Sequence, residues 1–237
     1  MDSKQVNEFD NLTTSEQTYL KTIYTQTRNF QPTSTLALAE ALNIRPASVT
    51  NMLQKLENSH PDFVTYRKHY GISLTAEGEK AALRIIRRHR LIEQFLYQIL
   101  EYPMDKIHQE AEVLEHAVSP YFIDRIAQLL DEPAFDPHGH PIPNSNLILE
   151  DSRKLVLLLD LHPGDNGIVR QISDQDHDLL IFLRSIGIYP GAEIKVMQVN
   201  PVDGTQQVML VDGKQTQVLG KSIGSSIQVE IIGVELI

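Results

Sequence analysis

The sequence predicts a multidomain α+β fold made of an N-terminal winged helix-turn-helix, a helical dimerisation domain and a C-terminal small β-barrel. Apolar residues recur at helical spacing up to about residue 132, with one alternating stretch that indicates a hairpin. After a linker rich in Pro, His and Asn, short strand-like segments follow one another between glycine turns. We therefore expect domains at 1–75, 76–132 and 154–237, with 133–153 as the linker.

The composition predicts a protein of the cytoplasm. Hydrophobic residues make up 41% and charged residues 22% of 237 residues, which is ordinary for a globular chain. Apolar runs such as "LVLLLDL" are too short to span a bilayer, and the polar, acidic start "MDSKQVNEFD" is not a signal peptide. Because the chain has no cysteine, any metal site must use His, Asp, Glu or backbone oxygen.

The first block has the element order of a winged helix-turn-helix. "TTSEQTYLKTIYTQTRNF" is a capped helix, "STLALAEAL" a short second helix, and Pro46 suits the first turn of a third, "PASVTNMLQKLEN". "FVTYRKHYGISL" alternates around residues 69–71 as a β-hairpin. Thr75 is then expected to cap the long helix "TAEGEKAALRIIRRHRLIEQFLYQIL".

A basic region in the same block indicates DNA binding. Between Arg45 and Arg90 the chain has nine Lys/Arg and four acidic residues, although its net charge is −10. In a helix-turn-helix the second helix of the pair enters the major groove, while basic side chains meet phosphates. The expected DNA contacts are Arg45, Ser48, Thr50, Asn51, Arg67 and Lys68. The alternatives are a solvated basic helix face and a small helical bundle without a DNA role.

Two further helices, each opened by a proline, predict a dimer interface. "PMDKIHQEAEVLEHAVS" and "PYFIDRIAQLLD" are amphipathic, and their apolar faces exceed what one helix pair could bury. The residues of this expected interface are Val113, Leu114, Tyr121, Phe122, Ile126, Leu129 and Leu130. A two-fold dimer would present two winged domains to a palindromic DNA site.

The last block predicts the small β-barrel. Its strand-like segments are "GIVRQIS", "AEIKVMQV", "QQVMLVDG", "KQTQVLG" and "SIQVEII". One helix, "HDLLIFLRSIGI", is inserted among them.

Histidine and glutamate concentrate on two helices. His108, Glu112, Glu115 and His116 share one helical face, and the preceding helix has His89 and Glu93 four residues apart. Such pairs also occur as exposed helix-stabilising pairs, but two together indicate divalent-cation sites. "EVLEH" lacks the first histidine of the inverted zinc-protease pattern, and the forward pattern is absent. We therefore do not expect an enzyme.

Several stretches together resemble the diphtheria toxin repressor (DtxR) family of metal-dependent transcriptional regulators, including its manganese-responsive (MntR) branch. They are "TYLKTIY", "RRHRLIEQFL", "IHQEAEVLEHAVS", "DRIAQLLD" and "PHGHPIP". "LHPGDNGIVRQI" and "LRSIGIYPGAEIKV" resemble the FeoA-like small barrel of longer members. The resemblance implies a homodimer in which bound metal fixes the spacing of two recognition helices for double-stranded DNA with a palindromic operator.

The same resemblance assigns metal ligands. The primary-site pattern falls on Glu112, Glu115 and His116, with a contribution from the first helix. The ancillary pattern falls on His89, Glu93 and His108, with linker ligands at Asp136 and His138 and a barrel ligand among Asp174, Asp176 and Asp178. The chain departs from the family at Thr18, where relatives have Met or Asp, at Lys21 and at Asp136. Either Glu16 substitutes for the ligand at Thr18, or a backbone carbonyl and water do, or the primary site is weakened.

Ligands that are all nitrogen or oxygen favour Mn²⁺, or alternatively Fe²⁺. The sequence thus predicts a cytoplasmic regulator that binds DNA when it is loaded with Mn²⁺. An iron sensor of the same family is the first alternative. A metal-dependent enzyme or a metal-storage module that shares the fold is the second.

Overall fold

The computed structural model describes residues 12–27, 31–67, 70–174 and 176–232, which form two compact units. The first unit comprises Met1–His89 with Pro143–Leu149, and the second comprises Arg90–Ile142 with Glu150–Ile237. No helix in the described ranges is both long and apolar enough to cross a membrane.

The first unit has the predicted order of three helices, a hairpin and the start of a fourth helix. These elements are α1 (Thr14–Gln26), α2 (Thr35–Ala41), α3 (Pro46–Ser59), β1 (Val64–Arg67), β2 (Gly71–Leu74) and α4 (Ala76–Gln98). The two strands are antiparallel, with Val64 opposite Leu74 and Arg67 opposite Gly71. The predicted hairpin is therefore confirmed, and α2 and α3 form the helix pair that precedes it.

Hydroxyl caps fix where these helices begin. Thr13 and Glu16 form a capping box at α1, and Ser34 accepts a hydrogen bond from the amide of Ala37 at α2. Thr75 accepts a hydrogen bond from Gly78 N–H at 3.1 Å, which confirms it as the cap of α4. The core between the helices and the hairpin is built from fully buried side chains: Leu20, Ile23, Leu38, Val49, Leu53, Leu56 and Ile72.

The second unit begins with the C-terminal part of α4, followed by two short helices and a sheet. The helices are α5 (Met104–Leu114) and α6 (Pro120–Leu129), and their core includes Leu91, Ile107, Ala111, Ile126 and Ala127. Helix α5 ends at Leu114, so the expected helical face does not extend to His116. Glu115 keeps helical dihedral angles as the C-cap, whereas Ala117 and Val118 close a turn on the Leu114 carbonyl.

The sheet of the second unit has six strands in the order β3-β8-β4-β5-β6-β7, all antiparallel to their neighbours. Their bounds are β3 (Leu155–Leu157), β4 (Asn166–Ile172), β5 (Glu193–Val199), β6 (Gln206–Leu210), β7 (Gln215–Leu219) and β8 (Ile227–Ile231). Within the described ranges β3 and β7 are the two edges, so the structure shows an α+β fold with a C-terminal sheet. Strand β3 was not among the predicted strands.

Two helices accompany this sheet, α7 (His177–Ser185) between β4 and β5 and the short α8 (Lys221–Gly224) before β8. Asp176 caps α7 by accepting a hydrogen bond from Leu179 N–H at 3.1 Å. The predicted inserted helix is therefore confirmed, and the segment that leads into it, which contains Asp174, continues directly from β4.

Candidate metal centre

The linker loop 135–141 is a tightly folded turn. Phe135 and Pro141 form an antiparallel bridge, and the amide of Asp136 donates to the carbonyl of His140 at 2.9 Å. Oδ1 of Asp136 accepts hydrogen bonds from the backbone amides of His138 and His140, both at 2.9 Å. One carboxylate oxygen thus shapes the turn, which leaves Oδ2 on the other side of the same group.

Two hydrogen bonds and one close backbone approach hold this loop in place. The carbonyl of His138 accepts a hydrogen bond from the amide of Ile172 in β4 at 3.0 Å, and Arg153 Nη2 donates to the carbonyl of Gly139 at 2.8 Å. Gly139 has a φ of +87°, and an added Cβ would lie 1.8 Å from the carbonyl oxygen of Arg170. Only glycine permits both this dihedral angle and this approach. The loop is therefore a fixed scaffold for its side chains.

The loop, helix α4 and the end of β4 bring histidines and carboxylates together. Glu93, His138 and Asp174 have ligand atoms within 4.8 Å of one another, and so do Asp136, His138 and His140. Nδ1 of His138 lies 3.9 Å from Oε2 of Glu93, and Nδ1 of His140 lies 3.8 Å from Oδ2 of Asp174. We call these five residues the loop cluster. Four of its five members are buried, and Asp174 is partly buried.

His108 of α5 joins the loop cluster from a separate helix. Its Nδ1 is 3.0 Å from Oε1 of Glu93 and 3.9 Å from Oδ2 of Asp174. Of the three aspartates proposed as the barrel ligand, the structure brings Asp174 into the cluster. Asp176 instead caps α7, and Asp178 is exposed in its first turn.

Several buried polar atoms of the loop cluster have no hydrogen-bond partner within the described part of the chain. They are Oδ2 of Asp136, both ring nitrogens of His138 and Nδ1 of His140. Leaving a buried polar group unsatisfied costs about 1–3 kcal/mol, so such atoms call for a ligand or an ion. Imidazole nitrogens beside carboxylate oxygens suit a divalent first-row cation. The residues present therefore fit a metal.

The charge balance of the cluster acts on His138. Burial alone lowers the pKa of this imidazole, but the nearby carboxylates of Glu93, Asp136 and Asp174 outweigh that effect and raise the pKa above its ordinary value. A positive charge at this imidazole is thus favoured by its surroundings. The same negative potential attracts a cation, which competes with the proton for the ring.

His89 lies on α4 one helical turn before Glu93 and is buried. Within the first unit its Nδ1 is 3.4 Å from Nζ of Lys21. Because an ammonium can only donate, Nδ1 of His89 accepts in this pair.

The residues of the expected primary site lie less close together than those of the loop cluster. Oε1 of Glu112 lies 3.7 Å from Nε2 of His108, and Oε1 of Glu115 lies 3.3 Å from Nε2 of His116. Glu115 is buried, whereas Glu112 is 54% exposed. Among the described residues, the compact ligand groups within the second unit do not contain Glu112, Glu115 or His116.

Thr18 and Glu16 of the first helix both make contacts within the first unit. The hydroxyl of Thr18 donates to the carbonyl of Thr14 at 3.0 Å within its own helix. Glu16 is engaged in the first unit, because Oε2 accepts from the amide and hydroxyl of Thr13 while Oε1 lies 3.2 Å from Nζ of Lys55. Its carboxylate serves the helix cap and an ion pair.

The expected DNA contacts lie on α3 and the hairpin. Arg45, the N-cap of α3, and Ser48 and Asn51 are exposed, because Val49 and Leu53 turn the opposite helix face into the core. Thr50 is partly buried, and its hydroxyl is 3.3 Å from the carbonyl of Pro46. Arg67 is exposed at the end of β1, and Lys68 lies outside the described residues.

Sequence reasoning missed His140. The signal was present, since Asp136, His138 and His140 alternate in "DPHGHP", but side-chain direction in an irregular loop cannot be read from spacing. The turn closed by Oδ1 of Asp136 brings all three side chains to one side.

Family models match most of the chain. Residues 11–72 match the iron dependent repressor N-terminal DNA binding domain, and residues 75–144 match the metal binding and dimerisation domain of the same repressors. Residues 156–231 match the FeoA domain.

Similar proteins cover between half and more than nine-tenths of this chain. The iron-dependent repressor IdeR of Mycobacterium leprae is 26% identical over 235 residues, covering 93% of this chain and 99% of the relative. The regulator MntR of Bacillus subtilis is 37% identical over 118 residues, half of this chain and 81% of MntR. A solved manganese-dependent transcriptional repressor in complex with manganese has a TM-score of 0.82 at 34% identity, covering 91% of this chain and 99% of that one. ScaR with bound Cd²⁺ has a TM-score of 0.78 at 33% identity, with the same coverage.

Proposed function

This chain belongs to the DtxR/MntR family of metal-dependent transcriptional regulators, and from that premise we propose that it is a cytoplasmic repressor that binds DNA when loaded with Mn²⁺. The observation that carries the proposal is the loop cluster, with its buried imidazole and carboxylate atoms that lack partners among the described residues. Fe²⁺ is the alternative ion, because both manganese- and iron-dependent repressors are similar to this chain. The relatives are repressors rather than enzymes.

We assign the ligands in two groups. The first is the loop cluster with His108 and, one turn earlier on α4, His89; it contains the expected ligands Glu93, Asp136 and His138. The second is the expected primary site of Glu112, Glu115 and His116 at the end of α5. A bound cation supplies a positive charge that several carboxylates and imidazoles can share, which joins segments far apart in the sequence.

Residues of the loop and of α5 position the side chains that would bind the cation. Oδ1 of Asp136 holds the loop by two amide hydrogen bonds, so that the side chains of His138 and His140 are positioned before any ion arrives. His108 reaches Glu93 from α5, which adds the helical segment to the loop and the sheet.

The hydrogen-bonding face of α3 supports a role as recognition helix of a winged helix-turn-helix. Ser48, Thr50 and Asn51 are of a size to reach base edges, whereas Arg45, Arg67 and Lys68 would contact phosphates. The exposed polar face of α3 and its buried opposite face support this orientation.

An exposed apolar surface supports a homodimer on a palindromic operator. Val113, Tyr121, Phe122 and Leu129 are exposed at the ends of α5 and along α6, with exposures of 69%, 74%, 45% and 61%. Large apolar side chains left exposed in this way are typical of interaction surfaces. A two-fold dimer through this surface would place two recognition helices on two half-sites.

The proposal divides the chain by role. Residues 1–75 bind DNA, 76–132 bind metal and form the dimer, 133–153 link, and 154–237 form the FeoA-like small barrel. The match to the FeoA domain supports the barrel.

Fluorescence anisotropy with the chain's own promoter region tests the function. We expect tight, competitor-resistant binding with Mn²⁺ and with anaerobic Fe²⁺, and weak binding after chelation. Zn²⁺ prefers four ligands, so we expect it to activate poorly although it binds well. Full activation by Zn²⁺ with none by Mn²⁺ would overturn the manganese assignment. Metal uptake without any metal-dependent DNA binding would favour the storage or enzyme alternatives.

A further inference from the structure

We infer that the loop cluster has two cation positions rather than one, and that His140 is a ligand of the second. The first position is formed by Glu93, His138 and Asp174, and the second by Asp136, His138 and His140. This inference deepens the proposed function, on which it rests for the first position.

The spacing of the donor atoms supports the second position. Donors that share a cation at about 2.1 Å lie roughly 3 to 4.2 Å from one another. Nδ1 of His140 is 3.3 Å from Oδ2 of Asp136, and the rings of His138 and His140 are tilted by 55° with centroids 6.2 Å apart. The three residues therefore surround one small space.

The burial of Asp136, His138 and His140 without hydrogen-bond partners for several of their atoms also supports the second cation position. His138 is fully buried, and His140 and Asp136 are more than nine-tenths buried. In the described chain, Nδ1 of His140 and Oδ2 of Asp136 are close, but neither makes a hydrogen bond. Both ring nitrogens of His138 lack a partner as well. With both positions filled, each nitrogen would hold one cation, and the ring would release its remaining N–H proton to solvent. One ion at the first position would leave the Asp136 and His140 atoms unsatisfied.

An ion pair of Asp136 and the turn formed by the loop are structural roles that explain only part of the buried cluster of Asp136, His138 and His140. Arg90 Nε lies 3.5 Å from Oδ2 of Asp136, which balances the charge of the carboxylate but not the burial of two imidazoles. The turn itself uses the backbone amide and carbonyl of His140, not its ring. Any residue with a free amide could close the turn, so the turn does not explain a buried imidazole.

The donor atoms of the second position favour different metal ions from those of the first. Two imidazoles and one carboxylate favour borderline ions such as Fe²⁺, Co²⁺ and Zn²⁺ more than the first position does, where two carboxylates accompany one imidazole. The two positions would therefore fill in sequence, with the second favouring the ions that bind imidazole most tightly.

The test compares metal content of the full chain and its variants by equilibrium dialysis with Co²⁺ and Mn²⁺. We expect His140→Asn to bind about one equivalent of Co²⁺ fewer than the unmodified chain, with a changed visible absorption spectrum of the remaining Co²⁺. Glu93→Gln should lose the other equivalent and keep the absorption that His140→Asn removes. His162→Asn is the matched control, because His162 is 86% exposed and outside the cluster.

An unchanged Co²⁺ stoichiometry and spectrum in His140→Asn would overturn the second position. The thermal midpoint in chelator checks folding, and His140→Gln replaces the variant if His140→Asn does not fold. Failure of the proposed function is a separate result, since it is the loss of metal-dependent DNA binding by the unmodified chain. The second position stands or falls on metal content alone.

Discussion

At the residue scale, the burial of His138 among carboxylates suits a cation site. His138 is fully buried, its two ring nitrogens lack hydrogen-bond partners in the described chain, and neighbouring carboxylates raise its pKa. A residue selected for stability alone would be apolar at such a position. Asp136 is different, since one of its oxygens also shapes the loop.

We expect His138→Leu to separate metal binding from folding. Removing the imidazole should raise the Mn²⁺ concentration needed for half-maximal DNA binding by at least about tenfold, a loss of roughly 1.4 kcal/mol or more. The thermal midpoint in chelator checks that the variant still folds. Mn²⁺-titrated anisotropy and calorimetry measure both quantities, with His162→Leu as the control. An unchanged Mn²⁺ requirement would remove His138 from the ligands.

Glu16 predicts an acid-dependent stability of the first unit. Burial raises the pKa of Glu16, but hydrogen bonds from Thr13 and the ion pair with Lys55 outweigh burial and hold the pKa below its ordinary value of 4.5. The folded state therefore gains stability from Glu16 above pH 4.5, and this gain is lost as the pH falls through the lowered pKa.

We expect Glu16→Gln to destabilise the chain by about 1 kcal/mol at pH 7 and by progressively less below pH 4.5. Urea unfolding across pH measures the difference. Glu57→Gln, on the exposed face of α3, is the matched control and should show no such convergence. A penalty for Glu16→Gln that persists at low pH would contradict the assignment.

At the scale of elements, α3 and the linker loop show how backbone geometry directs side chains. Helix α3 buries Val49, Leu53 and Leu56, which leaves its polar residues on the opposite face. In the loop, the positive φ of Gly139 and its approach to β4 determine where the histidines point. Function at both places depends on an element held by its neighbours.

We expect Asn51→Ala and Arg67→Ala to weaken DNA binding in different ways. Asn51→Ala should relax preference at one base pair by about 1–3 kcal/mol, because a base-edge contact is lost. Arg67→Ala should weaken all sequences alike and reduce the salt dependence, because a phosphate contact is lost. Anisotropy with operator and scrambled DNA at several salt concentrations separates the two. Equal affinities of Asn51→Ala and the unmodified chain for both DNAs would exclude α3 as the reader.

Gly139→Ala should damage the loop far more than an equivalent change elsewhere. Its Cβ would lie 1.8 Å from the carbonyl oxygen of Arg170, and its φ of +87° is unfavourable for alanine. Gly164→Ala has a φ of +99° without any atom within 4 Å, so it controls for dihedral strain. We expect Gly139→Ala to cost at least about 1 kcal/mol more than Gly164→Ala and to lose Co²⁺ binding. Equal unfolding free energies would show that the loop adapts.

At the scale of the whole molecule, an apolar surface of α6 is exposed to solvent in a single chain. Tyr121, Phe122 and Leu129 are exposed, while Ile126 and Ala127 of the same helix fill the core of the second unit. A helix with apolar residues on both faces suits a position between two cores. A second copy of the chain would cover the outer face.

We expect Tyr121→Asp to produce monomers at micromolar concentration, because an acid would be buried at the dimer interface. Sedimentation velocity with Mn²⁺ measures the change. Val202→Asp changes a residue that is 91% exposed in the C-terminal region, so it should leave the dimer intact. A stable monomer of the unmodified chain would rule out the predicted interface.

The sequence by itself determined the elements and the chemistry. Helical periodicity, the hydroxyl caps and the alternating hairpin predicted the first unit in order, because these signals are local. The absence of cysteine and the His/Glu pairs predicted an N/O metal site. Helix α5 ended at Leu114, five residues before the end of the predicted stretch at Ser119, since helix ends depend on local turn closure.

Only the tertiary structure decided which donors meet. Asp174 was one of three equivalent candidates in "SDQDHD". In the structure Asp176 caps α7, whereas Asp174, which follows β4, lies beside His140 and His108. His140 was not predicted, because its direction depends on a turn closed by Asp136 and pressed against β4. Spacing along a chain fixes neighbours on one helix, but ligands from a helix, a loop and a strand end are brought together by packing, which no local pattern records.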